Sequence, residues 1–228
     1  MPKLQFDSFS GLADVPDNLK AVLYTGVKQL GLPGSVEKLD QLLAYLELLV
    51  KWNASFNLSG ITDKQEMVSR HLLDSLALGP HLQGSTLVDI GTGAGLPGIP
   101  LAIFYPDKHF VLVDSNSKKA RFLFQVKMTL GLENVAIENS RIEHFQSNRQ
   151  IDMVMCRAFS SLEDVLDKSQ KFFDYDCKLL AMKGRYPQEE IDRLPAGFEV
   201  TKLAKLEIPG SDSQRHFVEV MRKQKQEG

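Results

Sequence analysis

The sequence has little of what marks secreted, metal-binding or membrane proteins. It contains 2 cysteines, Cys156 and Cys177, with no CxxC pair and no histidine near them at the spacing of a metal ligand. Thiols used so sparingly predict a cytoplasmic protein without disulfides and without a bound metal. No apolar run approaches the roughly 20 residues that a transmembrane helix needs, and the N-terminal residues show no signal-peptide pattern.

An excess of charge of either sign is also absent. The chain has 27 Lys and Arg against 29 Asp and Glu, for a net charge of −2. A protein that binds nucleic acid without specificity is normally more basic, so any nucleic acid is expected to meet a local patch. The 228 residues, 43% of them hydrophobic, suit one large globular domain or one domain with an appendage.

The first part of the chain shows helical periodicity. Apolar residues recur every three or four positions over 15–30 and 35–52, and Ser35 is a good N-cap for the second helix. A third helix is predicted to begin at Thr62 or Asp63, since each is followed at the third position by an acid or amide. Residues 1–80 are therefore predicted to form a helical extension packed on the core.

The pattern changes beyond residue 80 to short apolar runs alternating with helical segments at 117–130 and 163–173. The predicted strands are 86–90, 109–114, 134–138, 151–155, 178–182, 198–208 and 216–222. Continuous apolar strands linked by helices indicate a parallel sheet covered on both faces. The last two strands are joined directly, so we expect residues 81–228 to form an α/β core whose sheet is mostly parallel with an antiparallel last strand.

The stretch "LVDIGTGAGLPG" at 87–98 places four glycines directly after the first strand. Such loops bring a nucleotide close to the backbone at a helix N-terminus. A literal G-x-G-x-x-G match is out of phase, because the dinucleotide motif begins directly after the strand, at Gly91, and its third glycine position is then Leu96. A tight turn without a ligand is the alternative.

Two acids at strand ends help to choose between nucleotides. Asp114 ends the second strand, where a carboxylate can accept both ribose hydroxyls of NAD or of S-adenosylmethionine. Asp89 ends the first strand, where its charge suits a ligand carrying an ammonium and a sulfonium and would repel a pyrophosphate. Asp89 could instead cap a helix. The order of these features resembles the class I S-adenosylmethionine-dependent methyltransferases, whose fold is Rossmann-like.

Motifs that are absent from the sequence narrow the range of possible methyl acceptors. Enzymes that methylate exocyclic amines resemble one another in an Asn/Asp-Pro-Pro-aromatic motif, and the matching position here reads Cys-Arg-Ala-Phe at 156–159. Carbon-5 pyrimidine enzymes need a cysteine thiolate. Cys156 lacks the usual Pro-Cys context, and we expect it to be a small buried residue that ends a strand.

Several longer strings are more specific than the general fold. They are "WNASFNL" at 52–58, "RHLLDSL" at 70–76, "GTGAGLPGIPLA" at 91–102, "CRAF" at 156–159, "MKG" at 182–184 and "RH" at 215–216. From about residue 35 onwards this set closely resembles the ribosomal RNA small-subunit methyltransferase G family, also called glucose-inhibited division protein B. The resemblance implies methyl transfer from S-adenosylmethionine to N7 of a guanosine in bacterial 16S ribosomal RNA, with that RNA or the small ribosomal subunit as partner.

The resemblance adds residues to those found from the glycine loop and the two acids. The predicted cofactor contacts are Asp89, Gly91, Gly93, Leu96, Asp114, Ile142, Glu143 and Arg157. By resemblance Ile142 and Glu143 lie near the adenine, and Arg157 near the methionine end or the incoming base, which it could help to position. Leu96 could also be a core residue and Glu143 a solvated acid. Guanine N7 needs no general base, and no catalytic base is assigned.

Candidate RNA contacts are the basic residues of the same strings, namely Arg70, His71, Lys183, Arg185, Arg215 and His216, together with Lys118, Lys119 and Arg121 for phosphates. The alternative for "RHLLDSL" is an ion pair within the helix between Arg70 and Asp74, with His71 packed inside. The rival functions are a methyltransferase for a small molecule or protein, a NAD-dependent oxidoreductase, and a non-catalytic ribosome-binding module.

Overall fold

The computed structural model describes residues 17–157, 161–173 and 176–223. The helices are α1 (Asp17–Gln29), α2 (Val36–Phe56), α3 (Lys64–Met67), a π-helical segment (Val68–Leu73), α4 (Asp74–Leu76), α5 (Gly98–Phe104), α6 (Ser117–Leu130), α7 (Leu162–Lys168) and α8 (Gln188–Asp192). The strands are β1 (Thr86–Ile90), β2 (His109–Val113), β3 (Val135–Glu138), β4 (Met153–Arg157), β5 (Lys178–Lys183), β6 (Phe198–Leu206) and β7 (Arg215–Arg222).

The strands form one seven-stranded sheet in the order β3-β2-β1-β4-β5-β7-β6. Strands β1 to β5 are parallel to one another, and β7 lies antiparallel between β5 and β6. The sequence prediction of a mostly parallel sheet with an antiparallel last strand is confirmed. The strand order reverses beside β1, which pairs with both β2 and β4, and ligands of such sheets bind at the carboxyl ends of the strands next to that point.

Helices cover both faces of the sheet. One apolar cluster contains Leu42, Leu46 and Leu49 of α2 together with residues of α5, α6 and one face of the sheet. A second cluster lies on the other face and contains residues of α7. The N-terminal helices thus share a continuous core with the sheet, while the division of the chain near residue 80 stays a prediction.

The predicted starts of α2 and α3 are confirmed, the latter at one of its two candidate residues. The Ser35 side chain accepts a hydrogen bond from the Lys38 amide at the start of α2. Of the two alternatives for the third helix, Asp63 is the one observed, with its carboxylate accepting from the Glu66 amide at 2.8 Å. This carboxylate satisfies an amide that the first helical turn leaves without a partner.

Three elements differ from the prediction. Strand β4 is Met153–Arg157, two residues later than the apolar run had indicated, which places Arg157 at its end. Helix α5 carried no amphipathic pattern because all of its residues are buried. The predicted helix over 163–173 ends at Lys168 and continues only as a 3₁₀ turn at Gln170–Phe172.

Within the described ranges, no helix is both long and apolar enough to cross a membrane.

Candidate active site

The glycine loop between β1 and α5 turns tightly because three of its glycines adopt a left-handed backbone. Gly91, Gly93 and Gly95 have φ angles of 63°, 60° and 92°, which side-chain-bearing residues rarely adopt. The Gly91 amide donates to the Val113 carbonyl at 2.9 Å, so the loop is tied to the carboxyl end of β2. Because glycine has no side chain, these three residues present only backbone atoms at the edge where a ligand would bind.

Asp89 lies beneath this loop and is fully buried, with 0% of its surface exposed. Its Oδ2 accepts from the Thr92 hydroxyl at 2.6 Å and from the Gly98 amide at 2.9 Å, at the first residue of α5. The helix-capping alternative is therefore observed. Its Oδ1 has no hydrogen-bond partner among the described residues. Burial, opposed by these hydrogen bonds, raises the pKa of the Asp89 carboxyl to about 7.

Asp114 directly follows β2 on the other side of the loop and is also buried. Its Oδ2 accepts from the Gly93 amide at 2.9 Å, and its Oδ1 accepts from the Asn116 amide at 2.8 Å. The Lys119 ammonium lies 3.6 Å from Oδ2. Asp114 thus fixes the glycine loop relative to the start of α6, and its negative charge faces one nearby cation.

The carboxyl ends of β1, β2 and β3 enclose a cleft of about 220 Å³, here called the glycine cleft. It is lined by Gly91, Val113, Asp114, Ser115, Ser140, Arg141, Ile142, Glu143 and Lys168. Four of the predicted cofactor residues, Gly91, Asp114, Ile142 and Glu143, therefore meet at one place. The Leu96 side chain lies in the apolar core, as the alternative for that residue had it.

Sequence reasoning missed Ser115, Ser140, Arg141 and Lys168 as lining residues. Ser140 is the clearest, because its hydroxyl is buried in the cleft wall and has no partner among the described residues. The sequence feature that could have identified Ser140 is its position two residues after β3. Polar residues at the carboxyl ends of parallel strands meet at the edge of the sheet where ligands bind.

The carboxyl ends of β4 and β5 border a second cleft of about 360 Å³, here called the arginine cleft. It is lined by Ile61, Arg70, His71, Asp74, Arg157, Met182, Lys183, Gly184, Glu190 and Arg215. Five residues predicted as substrate contacts therefore lie together. The other candidates do not line the cleft. Arg185 is exposed, His216 is buried with its ring edge-on to Tyr186 at 5.6 Å, and Lys118, Lys119 and Arg121 belong to α6.

Asp74 holds the two arginines of this cleft in place. It is 1% exposed and accepts from Arg157 Nη1 at 2.9 Å and from Arg215 Nε at 2.6 Å. Arg157 also donates to the Arg70 carbonyl at 3.1 Å. The alternative of an Arg70–Asp74 ion pair is wrong, because Arg70 pairs with Glu66 one turn earlier and the π-helical segment directs Asp74 towards β4 and β7.

His71 is packed inside the protein, as the alternative for the string "RHLLDSL" proposed. Its Nδ1 lies 3.1 Å from the Arg70 carbonyl, which can only accept, so Nδ1 carries the proton. Its Nε2 then accepts from the Ser59 hydroxyl at 2.7 Å. Burial, together with the Arg157 charge, lowers the pKa of His71 to about 4. His71 is therefore a neutral support for the loop before α3, with neither ring nitrogen left to hold a phosphate.

Of the remaining residues singled out in the sequence, some agree with the prediction and others do not. Lys183 is buried and paired with Glu190 at 2.7 Å. Burial raises the pKa of the Cys156 thiol to about 12, so it is no nucleophile, as expected from the sequence. The partly buried Trp52 packs against Phe122 at 5.7 Å and against Phe56 at 5.2 Å, and Phe56 stays 42% exposed. The residues that follow Arg157 in the string "CRAF" lie outside the described residues.

Comparison with known proteins gives a consistent result. A family described as rRNA small subunit methyltransferase G matches residues 38–218. Proteins named ribosomal RNA small subunit methyltransferase G from Nitrosococcus oceani and Ectopseudomonas mendocina are 44% and 46% identical to this chain. The alignments cover 87% and 86% of this chain and 93% and 92% of the two relatives.

Solved structures share the fold at much lower identity. A glycopeptide N-methyltransferase complexed with S-adenosyl-L-methionine has a TM-score of 0.57 at 6% identity. The alignment covers 68% of this chain and 88% of that methyltransferase chain. A 16S rRNA (adenine(1408)-N(1))-methyltransferase variant from Catenulisporales acidiphilia has a TM-score of 0.50 at 18% identity, covering 67% and 91%. These likenesses support the Rossmann-like methyltransferase fold. The match over most of the chain, together with its close relatives, shows that this chain belongs to the rRNA small subunit methyltransferase G family.

Proposed function

We propose that this protein transfers a methyl group from S-adenosylmethionine to N7 of a guanosine in bacterial 16S ribosomal RNA, in the cytoplasm. The observation that carries the proposal is the arrangement of two clefts along one sheet edge. Asp89 and Asp114 flank the glycine loop at one cleft, and Arg157 and Arg215 line the neighbouring one.

The residues of the glycine cleft fit this cofactor. Asp114, at the end of β2, would bind the ribose hydroxyls, and Ile142 and Glu143 would lie at the adenine. Asp89 Oδ1 and Ser140 Oγ are buried polar atoms without a partner among the described residues, and such atoms are costly unless a ligand or water pairs with them. Asp89 would oppose the positive methionine end, where the cofactor supplies an electrophilic methyl on sulfur.

The protein's own contribution to the reaction is alignment. Guanine N7 is unprotonated at neutral pH, so its lone pair is exposed without a base. The clefts agree with this, since both nitrogens of His71 are engaged and the Cys156 thiol stays protonated. Arg157 would donate to guanine O6, which orients the base while N7 faces the methyl group. Holding the two reactants in line can lower a barrier by roughly 7–11 kcal/mol.

We choose the proposed RNA contacts by asking which cations are already paired with an acid of the protein. Arg70, Lys183 and Arg215, proposed from the sequence, are each paired with an acid of the protein. Helix α6 differs, because it has four cations and no acid: Lys118, Lys119, Arg121 and Lys127. Lys118 and Arg121 are exposed, and no acid pairs with either within the described ranges. We assign them as phosphate contacts beside the glycine cleft.

The target guanosine should lie in a loop or be splayed from its helix. N7 is on the major-groove edge, and that groove is deep and narrow in A-form RNA, so a side chain cannot approach a paired base there. Extrusion of a single base would bring N7 to the edge of the two clefts. The substrate class is therefore an irregular segment of small-subunit ribosomal RNA, either naked or within the small subunit.

Methyl transfer to undermodified RNA tests the proposal. Labelled S-adenosylmethionine is incubated with small subunits that lack the modification and, separately, with their naked RNA, and the digested nucleosides are analysed by mass spectrometry. A single 7-methylguanosine per RNA is expected. Cofactor binding without transfer to either substrate would overturn the proposal in favour of a non-catalytic ribosome-binding role, and transfer to protein or small molecules alone would favour the rival methyltransferases.

A further inference from the structure

One face of α2 carries three polar side chains that each reach a backbone carbonyl of another element. Lys38, Gln41 and Tyr45 are spaced so that they share a helix face. Lys38 Nζ donates to the Phe104 carbonyl at 2.8 Å, Gln41 Nε2 to the Leu130 carbonyl at 3.1 Å, and the Tyr45 hydroxyl to the Ala94 carbonyl at 2.7 Å. Helix α2 therefore contacts three separate parts of the core with one row of donors.

The three acceptors all belong to elements around the glycine loop. Phe104 and Leu130 are the last residues of α5 and α6, where helix carbonyls lack partners within the helix. Ala94 lies inside the loop, between Gly93 and Gly95. Lys38 and Gln41 thus hold the distant ends of the two flanking helices, and Tyr45 alone of the three touches the loop.

The Ala94–Gly95 peptide is held at both of its polar atoms. Its carbonyl accepts from Tyr45, and its amide donates to the Thr92 carbonyl at 2.9 Å. Thr92 in turn donates through its hydroxyl to Asp89. A continuous set of hydrogen bonds therefore runs from α2 through the glycine loop to the buried acid beneath it.

The surroundings of Tyr45 stabilise this contact. Its side chain is 0% exposed, and its ring lies 6.3 Å from that of Phe122 in α6. Burial raises the pKa of the Tyr45 phenol above its usual range, so the hydroxyl remains a donor. Without it the buried Ala94 carbonyl would lose its partner, and the peptide, which adjoins the flexible Gly95, would be held by its amide alone.

We propose that Tyr45 is a positioning residue for the cofactor, through which the N-terminal helix α2 sets the shape of the glycine loop. The inference rests on the proposed function, because it assigns S-adenosylmethionine to the glycine cleft. It makes the N-terminal extension part of the cofactor site, although no residue of α2 lines the glycine cleft.

The Tyr45→Phe variant of the full chain tests the role, since it removes one oxygen and keeps the ring. We expect about tenfold weaker S-adenosylmethionine binding in isothermal titration calorimetry, because the cofactor would then have to order the loop with one buried carbonyl unpaired. The KM for S-adenosylmethionine rises in parallel, while kcat at saturating cofactor and the KM for RNA stay within about twofold of wild type. Matched controls are Gln41→Leu and Lys38→Met, which remove the other two donors and should change the melting temperature alone.

A second measurement uses the wild-type chain and does not depend on a variant that folds. Coupling is reciprocal, so a cofactor that binds the ordered loop must also strengthen the Tyr45 contact. Hydrogen exchange of the α2 amides around Tyr45 should slow when S-adenosylmethionine is added, while exchange in β6, at the far edge of the sheet, should not.

The outcomes separate this inference from the proposed function. Wild-type protein that binds no S-adenosylmethionine would remove the proposed function. Wild-type binding with an unchanged dissociation constant in Tyr45→Phe, or with equal losses in all three variants, would overturn the role of Tyr45 alone. Unaltered exchange in α2 on cofactor addition would overturn it as well.

Discussion

Two buried ionisable side chains, Asp89 and His71, are both favoured in their neutral forms by the fold. The pKa of Asp89 is raised to about 7, and that of His71 is lowered to about 4. Both shifts have the same largest cause, since burial disfavours whichever form carries charge. Their consequences differ because Asp89 is proposed to face a cationic ligand, whereas His71 supports a loop.

Cofactor binding should weaken as Asp89 becomes protonated. Only the carboxylate attracts the positive methionine end, so the dissociation constant for S-adenosylmethionine should rise about tenfold for each pH unit below about 7 and level off above it. Calorimetric titration between pH 5.5 and 8 measures this. Asp89→Asn should bind weakly with no such dependence, and a wild-type profile that is flat across the range would contradict the assignment.

His71 should make the stability of the protein depend on pH in a defined window. Because its folded pKa is lowered, its contribution is fully present above the unfolded value of about 6.5 and is lost as pH falls towards 4. Urea unfolding at pH 7.5 and 5 should therefore show a larger loss of unfolding free energy for wild type than for His71→Gln. Asp89 titrates in both proteins and cancels in the comparison, and equal losses would show that His71 is not held neutral.

At the scale of elements, a π-helical segment directly precedes Asp74 and its two arginine partners. An α-helix would have placed Arg70 and Asp74 on one face, as the spacing suggested. The wider π turn between Val68 and Leu73 accompanies a different pairing, in which Asp74 joins the N-terminal helices to β4 through Arg157 and to β7 through Arg215. π turns occur frequently at functional sites, and this one lines the arginine cleft.

Breaking this junction should be costly. Asp74→Asn would leave two mostly buried arginines without a counter-charge, and we expect unfolding free energy to fall by about 3 kcal/mol. Chemical denaturation measures the loss. Glu66→Gln removes the acid of the exposed Arg70 pair and serves as a matched control with a loss below about 1 kcal/mol. Similar values for the two variants would show that the junction adds little to stability.

At the scale of the whole molecule, charge distribution matters more than net charge. The chain is slightly acidic overall, yet α6, beside the glycine cleft, contains four cations and no acid of its own. Much of the remaining basic charge at this sheet edge is neutralised by Asp74 and Glu190. The phosphate contacts proposed on α6 therefore do not require a net positive charge on the protein as a whole.

Salt dependence tests this surface. The double variant Lys118→Ala/Arg121→Ala should reduce the slope of log affinity for naked 16S RNA against log salt by about 2, since each phosphate contact contributes a little under one. Filter binding over a range of salt concentrations measures the slope, and S-adenosylmethionine affinity should not change. The control Lys28→Ala/Lys223→Ala removes exposed charges of α1 and of the residue after β7. An unchanged slope in the α6 variant would exclude that face.

The sequence by itself determined the elements that depend on local signals. Apolar runs predicted all seven strands, and glycines followed by strand-end acids predicted where the parallel strands present a ligand site. These features follow from neighbouring residues, because turn geometry and side-chain burial along a strand are set over a few positions. Fully buried α5 escaped this reasoning, because a helix that is apolar all round has no period to detect.

Only the tertiary structure decided which polar groups are paired and which stay available. Asp74 meets Arg157 and Arg215 from 83 and 141 positions away along the chain, and Tyr45 reaches Ala94 from 49 positions away. No local pattern encodes such partners, because hydrogen bonds and ion pairs depend on distances that arise only when the sheet and helices pack. Several residues that suggested an RNA surface, such as Lys183 and Arg215, are therefore paired in the folded chain as internal supports of the arginine cleft.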